Sequence, residues 1–113
     1  MINRIAVIVS YKAPFIEWIN SSDPYDATSP VTIDEANEDN HVYLVDDKYA
    51  DNFEGWLKRN FKTLFENELY GWYTDLALWP EKRDLRTFRK WCAVEYFSVV
   101  LDLGSGGIFD DDG

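Results

Sequence analysis

Asp51-Asn-Phe-Glu-Gly-Trp-Leu-Lys-Arg-Asn-Phe-Lys-Thr-Leu-Phe-Glu-Asn-Glu-Leu69 is the longest uninterrupted helical pattern in the chain. Phe53, Trp56, Leu57, Phe61, Leu64, Phe65 and Leu69 fill one broad arc of a helical wheel. Asn60 and Glu68 are the only polar intruders in that arc. Lys58, Arg59, Lys62 and Glu66 take the other side. A buried aromatic side chain removes about 150–250 Å² from water, so three phenylalanines and a tryptophan on one face organise a small core. Asp51 or Asn52 offers the N-cap, and Gly71 offers a C-terminal stop.

Working outward, Arg4 to Val9 is β-branched and apolar on both faces, the pattern of a buried central strand. Pro14 suits the first turn of a short helix carrying Phe15, Trp18 and Ile19 and ending at Asn20 to Ser22. Asp23 to Pro30 is turn chemistry throughout, read as an ordered surface loop. Thr32 and Glu35 form a capping-box pattern ahead of a second, shorter helix. His41 to Val45 reads as a strand. Beyond the long helix, Trp72, Tyr73, Leu76, Leu78 and Trp79 make an aromatic connector in which Thr74-Asp75 caps a single turn before Pro80. Glu81 to Trp91 reads as a helix with Lys82, Arg83, Arg86, Arg89 and Lys90 on one side and Leu85, Phe88, Trp91 and Cys92 opposite. Val94 to Leu103 reads as the third and longest strand.

The expected fold is α+β: a small three-stranded mixed or antiparallel sheet, packed mainly on one side by three main helices and one or two short ones. Residues 1–103 form a single domain, and the glycines and aspartates of 104–113 read as a flexible acidic tail.

Length and composition agree with that picture. A chain of 113 residues builds its core without metal or disulfide staples. The single cysteine, Cys92, permits no internal disulfide. Nineteen aromatics are more than one small core readily hides, which leaves room for an aromatic contact patch. A net charge of −10 disfavours nucleic acid and anionic membranes as direct partners. The longest apolar runs fall far short of the about 18–20 residues of a membrane helix. No signal-peptide pattern follows Met1, so cytoplasm is the expected compartment.

Two local patterns resemble a group of small acidic bacterial proteins of unknown function. They are Pro14-Phe15-Ile16-Glu17-Trp18-Ile19-Asn20, and Trp79-Pro80 with Phe88 and Trp91. The resemblance implies a bacterial cytoplasmic origin and carries no activity.

Charge is uneven along the chain. Residues 1–54 hold three Lys/Arg against eleven Asp/Glu, whereas Glu81 to Trp91 holds five Lys/Arg against two Asp/Glu. The basic stripe is read first as a solvated helix face and second as a docking site, including for the Asp34–Asp51 region of a second copy. Acidic clusters stand at Asp34/Glu35/Glu38/Asp39, at Asp46/Asp47/Asp51/Glu54 and at Asp110–Asp112, without the alternate-ligand spacing and central glycine of a calcium loop. No metal site and no cofactor motif is expected. His41 reads as a strand-end residue and Cys92 as a small buried hydrophobe; a Cys92–His41 dyad would need proximity and an activated thiolate. No nucleophile elbow or phosphate loop is present, so no catalytic residue is assigned.

The expected function is therefore a non-enzymatic protein-binding module, with a homodimer open. Its expected surface combines Trp72, Tyr73 and Trp79 with Arg83, Arg86 and Lys90. The alternative is an acidic, DNA-mimic-like inhibitor of a nucleic-acid-binding protein, using Asp34, Glu35, Glu38, Asp46 and Asp47. A small enzyme with a cryptic site is the third reading.

Overall fold

The computed structural model describes residues 1–23 and 29–108. Only the ends of the expected Asp23–Pro30 loop fall within them, and the Asp110–Asp112 cluster lies outside. The fold is α+β. Strand β1 (Arg4–Tyr11) is followed by helices α1 (Ala13–Ser21) and α2 (Ile33–Ala36) and by strand β2 (Val42–Asp46). A 3₁₀ helix (Asp47–Asn52) then leads into the long helix α3 (Phe53–Trp72). A 3₁₀ turn (Leu76–Leu78), helix α4 (Leu85–Trp91) and strand β3 (Cys92–Phe97) complete the order.

The sheet is antiparallel throughout, in the order β2-β1-β3, so the apolar Arg4–Tyr11 strand is central as expected. Its two faces differ. Ile5, Val7, Val9 and Tyr11 are buried under the helices, whereas Arg4, Ala6, Ile8 and Ser10 are only half-buried. The apolar residues on both faces therefore do not mean two covered faces. The register places Val42, Leu44 and Asp46 of β2 and Ala93, Glu95 and Phe97 of β3 on the same open side as Ala6 and Ile8.

The covered side is an aromatic core. Phe15, Phe65 and Phe88 are completely buried. Phe15 meets Trp18 and Trp91 edge-on at 5.3 and 5.7 Å, and Phe65 meets Phe88 and Trp91 at 5.5 and 5.8 Å. Edge-to-face pairs at these separations add a little to burial itself. One chain of rings thus ties α1, α3 and α4 together.

Caps set most helix boundaries. Thr32 and Glu35 form the expected box around α2. The Asn52 side chain accepts from the Gly55 N–H at the start of α3. A Cβ at Gly55 would lie 2.6 Å from Asn52 Nδ2, so the glycine makes room for the cap. Asn52→Ala is expected to cost about 1 kcal/mol in a urea melt. An unchanged midpoint would mean that the preceding 3₁₀ helix fixes this helix start by itself.

Three expected boundaries are corrected. Gly71 does not stop the long helix: α3 runs on to Trp72, which packs edge-on against Tyr11 at 6.0 Å. The basic helix begins at Leu85 rather than Glu81, because Asp84 accepts from the Thr87 N–H and caps it there. That hydrogen bond also holds the Asp84 carboxyl below its ordinary pKa. Lys82 and Arg83 consequently lie off the helix. Strand β3 ends at Phe97, opposite Ala6, rather than at Leu103, and is shorter than β1. Val99, Leu101, Leu103 and Ile108 beyond it are exposed.

Candidate functional site

The densest polar cluster in the core centres on Glu68. Within α3 it stands one residue before the buried Leu69 and three after the buried Phe65, so helical geometry turns it inward, and its side chain is wholly buried. Tyr43 pairs with Val7 across the sheet, and Tyr11 is four residues beyond Val7 on the same face. Both rings therefore project toward α3. Tyr11 Oη donates to Glu68 Oε1 at 2.6 Å, and Tyr43 Oη donates to Glu68 Oε2. His41, just before β2, brings Nδ1 within 2.9 Å of the same Oε2.

Tyr11 is itself locked in place by Asn37. Strand β2 pairs with β1 only as far as Ile8, which leaves the outer edge of Tyr11 without a strand partner. Asn37 Oδ1 accepts from the Tyr11 N–H at 2.8 Å, and Asn37 Nδ2 donates to the Tyr11 carbonyl at 3.0 Å. One side-chain amide thereby imitates a strand.

Burial first, then the hydrogen bond and charge of Glu68, raise the pKa of Tyr11 and of Tyr43 well above the ordinary tyrosine value. Both hydroxyls stay protonated and act as donors. They are poor nucleophiles in that state. His41 remains half-exposed beside a shallow cleft of about 190 Å³ lined by Tyr11, Ala36, Asp39, Gly71 and Trp72. A carboxylate orienting a histidine is half of a proton-transfer site. The arrangement otherwise fits a carboxylate satisfied by three donors that joins the end of β1 and the start of β2 to α3.

Cys92 is buried on β3 opposite Tyr11. Burial, then the negative charge of Glu68, raises its pKa, the opposite of an activated thiolate. A thiol held protonated lacks the activation that the Cys92–His41 dyad would need. Among the described residues no group of three or more His, Cys, Asp or Glu side chains converges as a metal-binding set. Among the described residues no helix is long and apolar enough to cross a membrane.

The expected aromatic-basic surface is divided. Tyr73, Trp79 and Arg83 come together: the Trp79 Nε1–H donates to the Tyr73 carbonyl at 2.8 Å, and Arg83 lies 5.7 Å over the Trp79 ring. Tyr73 packs edge-on against Trp18 at 5.2 Å and donates its hydroxyl to the Ile19 carbonyl. All three aromatic rings are half-buried against the core. Trp72 instead faces Tyr11 and the cleft beside His41. Arg86 and Lys90 are exposed on α4.

The acidic residues also divide. Asp34, Glu35 and Glu38 lie at the α2 end, where Asn37 meets Tyr11, whereas Asp46 faces Arg4 at the far end of β1. At about 3.3 Å per strand residue the two groups stand roughly 20 Å apart. Glu35 is bound into its capping box, Asp46 pairs with Arg4 at 3.4 Å, and Asp47 opens the 3₁₀ helix.

Sequence reasoning passed over Glu68 as a polar intruder. The signal was there: a charged residue inside an apolar arc needs donors, and Tyr11 and Tyr43 sit at strand positions able to supply them. The chain matches no protein-family model, no curated protein and no solved structure. The likeness of residues 14–20 and 79–91 to small acidic bacterial proteins therefore carries no family assignment.

Proposed function

We propose that the chain is a cytoplasmic, non-enzymatic protein-binding module that meets its partner across the open face of the sheet. One observation carries this reading. Val42, Leu44 and Phe97 are 56%, 49% and 49% exposed and flank Ala6 and Ile8 of the central strand. A solvated sheet face ordinarily alternates to polar residues, and contiguous exposed apolar surface marks a contact site. The partner is accordingly a protein with an apolar, weakly charged surface. The −10 net charge turns away phosphate-rich partners. The His41–Glu68 pair gives an enzymatic reading less support, since its neighbouring hydroxyls are held protonated.

The test is capture of a partner, its identification, and rebinding of the two purified proteins. Leu44→Thr with Phe97→Thr keeps charge and β-propensity while removing apolar surface. Expected is a loss of affinity of at least about a hundredfold for this double variant. Trp79→Ala with Arg86→Ala should leave binding intact. The reverse pattern would move the contact to the aromatic connector. Loss only at high salt, with a basic nucleic-acid-binding protein as partner, would favour the acidic-mimic reading instead.

A further inference from the structure

We infer that the protein seated on the open sheet face is a second copy of this chain, packed face to face in a symmetric dimer. This rests on the docking reading above and names its occupant.

The first argument is continuity of exposed apolar surface. The open face ends at Phe97, and the exposed Val99, Leu101 and Leu103 follow directly beyond the strand. They are 69%, 64% and 93% exposed. The Ile2 N–H donates to the Val100 carbonyl at 2.9 Å, which keeps the start of this strip beside the beginning of β1. One chain thus carries both an uncovered sheet face and an uncovered apolar strip adjoining it.

Charge selects a second copy over a charged partner. A two-fold interface uses the same patch on both subunits, so a strongly charged patch repels itself. The open face carries Arg4, Asp46 and Glu95, and the first two neutralise each other at 3.4 Å. One net negative charge remains there, and Asp102 adds a second on the adjoining strip, out of the chain's −10. The Asp34–Asp39 segment and the Arg86–Lys90 segment each hold charges of mainly one sign and are unsuited to meeting themselves.

Area decides what the dimer needs. Side chains on one sheet face recur about every 6.7 Å along strands about 4.8 Å apart, so each occupies roughly 32 Å² of the sheet plane. The ten positions presented by Arg4–Ser10, Val42–Asp46 and Ala93–Phe97 then cover about 320 Å² per copy. Two copies reach about 640 Å² of sheet plane, below the roughly 1,000 Å² at which a specific interface becomes credible. By the same measure Val99, Leu101 and Leu103 add about 100 Å² per copy and bring the pair to about 840 Å² of plane, and protruding side chains expose more accessible surface than the plane beneath them. A stable dimer must therefore engage the strip as well as the sheet.

The experiment is sedimentation equilibrium of the full chain at low and high salt. The variants are Leu44→Thr with Phe97→Thr, Leu101→Thr with Leu103→Thr, and Arg86→Gln as a control. Wild type is expected to dimerise, and more tightly at high salt, because screening relieves repulsion between two acidic chains while the apolar contact persists. Each threonine pair should weaken the dimer at least about tenfold, and Arg86→Gln should not. Melting curves of the monomeric variants check that they fold. Pyrene attached at Leu44→Cys gives an independent readout, since excimer emission requires two copies of this face to meet.

A wild type that stays monomeric at both salts overturns the inference. If a different protein is then lost on Leu44→Thr with Phe97→Thr, the docking reading survives with another occupant. A dimer indifferent to both threonine pairs, or one dissolved by salt, also overturns it. The second outcome would mean basic α4 against acidic residues of the other copy.

Discussion

Glu68→Ala lowers the free energy of unfolding by about 3–5 kcal/mol, the usual cost of removing one partner from a buried charged network. For a domain of this size that corresponds to a fall in melting temperature of roughly 15–25 °C. The loss has two sources. Tyr11 and Tyr43 keep hydroxyls that no longer reach an acceptor, and each unmet buried donor costs about 1–3 kcal/mol. The missing side chain also leaves a void beneath the sheet. Glu68→Gln should cost less, because one carbonyl oxygen still accepts while the new amide N–H₂ faces a tyrosine donor. The sharper test is rescue. Glu68→Leu combined with Tyr11→Phe and Tyr43→Phe removes donors and acceptor together, which is close to neutral when shapes fit. Urea melts should show the triple variant well above Glu68→Ala. A Glu68→Ala protein as stable as wild type would mean that the three donors find water and that the network contributes nothing.

The second large effect is alkaline unfolding. Tyr11, Tyr43 and Cys92 all have pKa values raised in the folded protein, each first by burial and then by Glu68. The folded state therefore holds protons that the unfolded chain releases. Below the ordinary cysteine and tyrosine values, near 8.5 and 10, the two states bind these protons equally and the stabilisation is complete. Above those values the unfolded chain ionises first, and stability is lost as pH rises toward the folded values. Each group contributes a slope of about 1.4 kcal/mol per pH unit in that window. Cys92 starts the decline and the two tyrosines steepen it past about pH 10. Unfolding free energies across this range should bend downward twice. Tyr11→Phe with Tyr43→Phe should lose most of the steep part and retain the cysteine component with that of Tyr73, whose pKa burial also raises. A wild-type profile flat to about pH 11 would show that these hydroxyls ionise as easily folded as unfolded.

Much of the fold was legible where the signal is local. The Thr32–Glu35 box, the Asn52 cap and the apolar arc of α3 are all short-range statements, and each has its expected counterpart. Three strand patterns and their helices point to a three-stranded sheet but leave mixed and antiparallel pairing open, and the structure is antiparallel. Boundaries set by distant partners were less legible. Strand β3 stops near where β1 runs out of residues to pair with, which no pattern within 94–103 announces. Gly71 stays helical because Trp72 finds Tyr11, sixty-one residues away. The start of α4 was legible in principle, since Asp84 is a good N-cap, but the run of charges from Glu81 hid it. The Glu68 cluster joins three elements, so a helical wheel of α3 shows only its acceptor. The contact surface shifted for a similar reason. The half-buried rings of Trp72, Tyr73 and Trp79 find their partners inside the molecule, while the uncovered face depends on which side of β1 the helices take.

The strand order has a further consequence, for how the chain reaches this structure. Among the described elements the central strand precedes both its neighbours, and β3 follows the helices. Tyr11 pairs with Cys92 and Ala6 with Phe97, contacts spanning 81 and 91 residues. Closing so large a loop is costly before any contact rewards it, and such topologies fold slowly. During translation β1 has β2 as its strand neighbour, with one edge open, until β3 has been made. A ribosome stalled before Cys92 would carry a chain that has its long helix but lacks one side of its sheet.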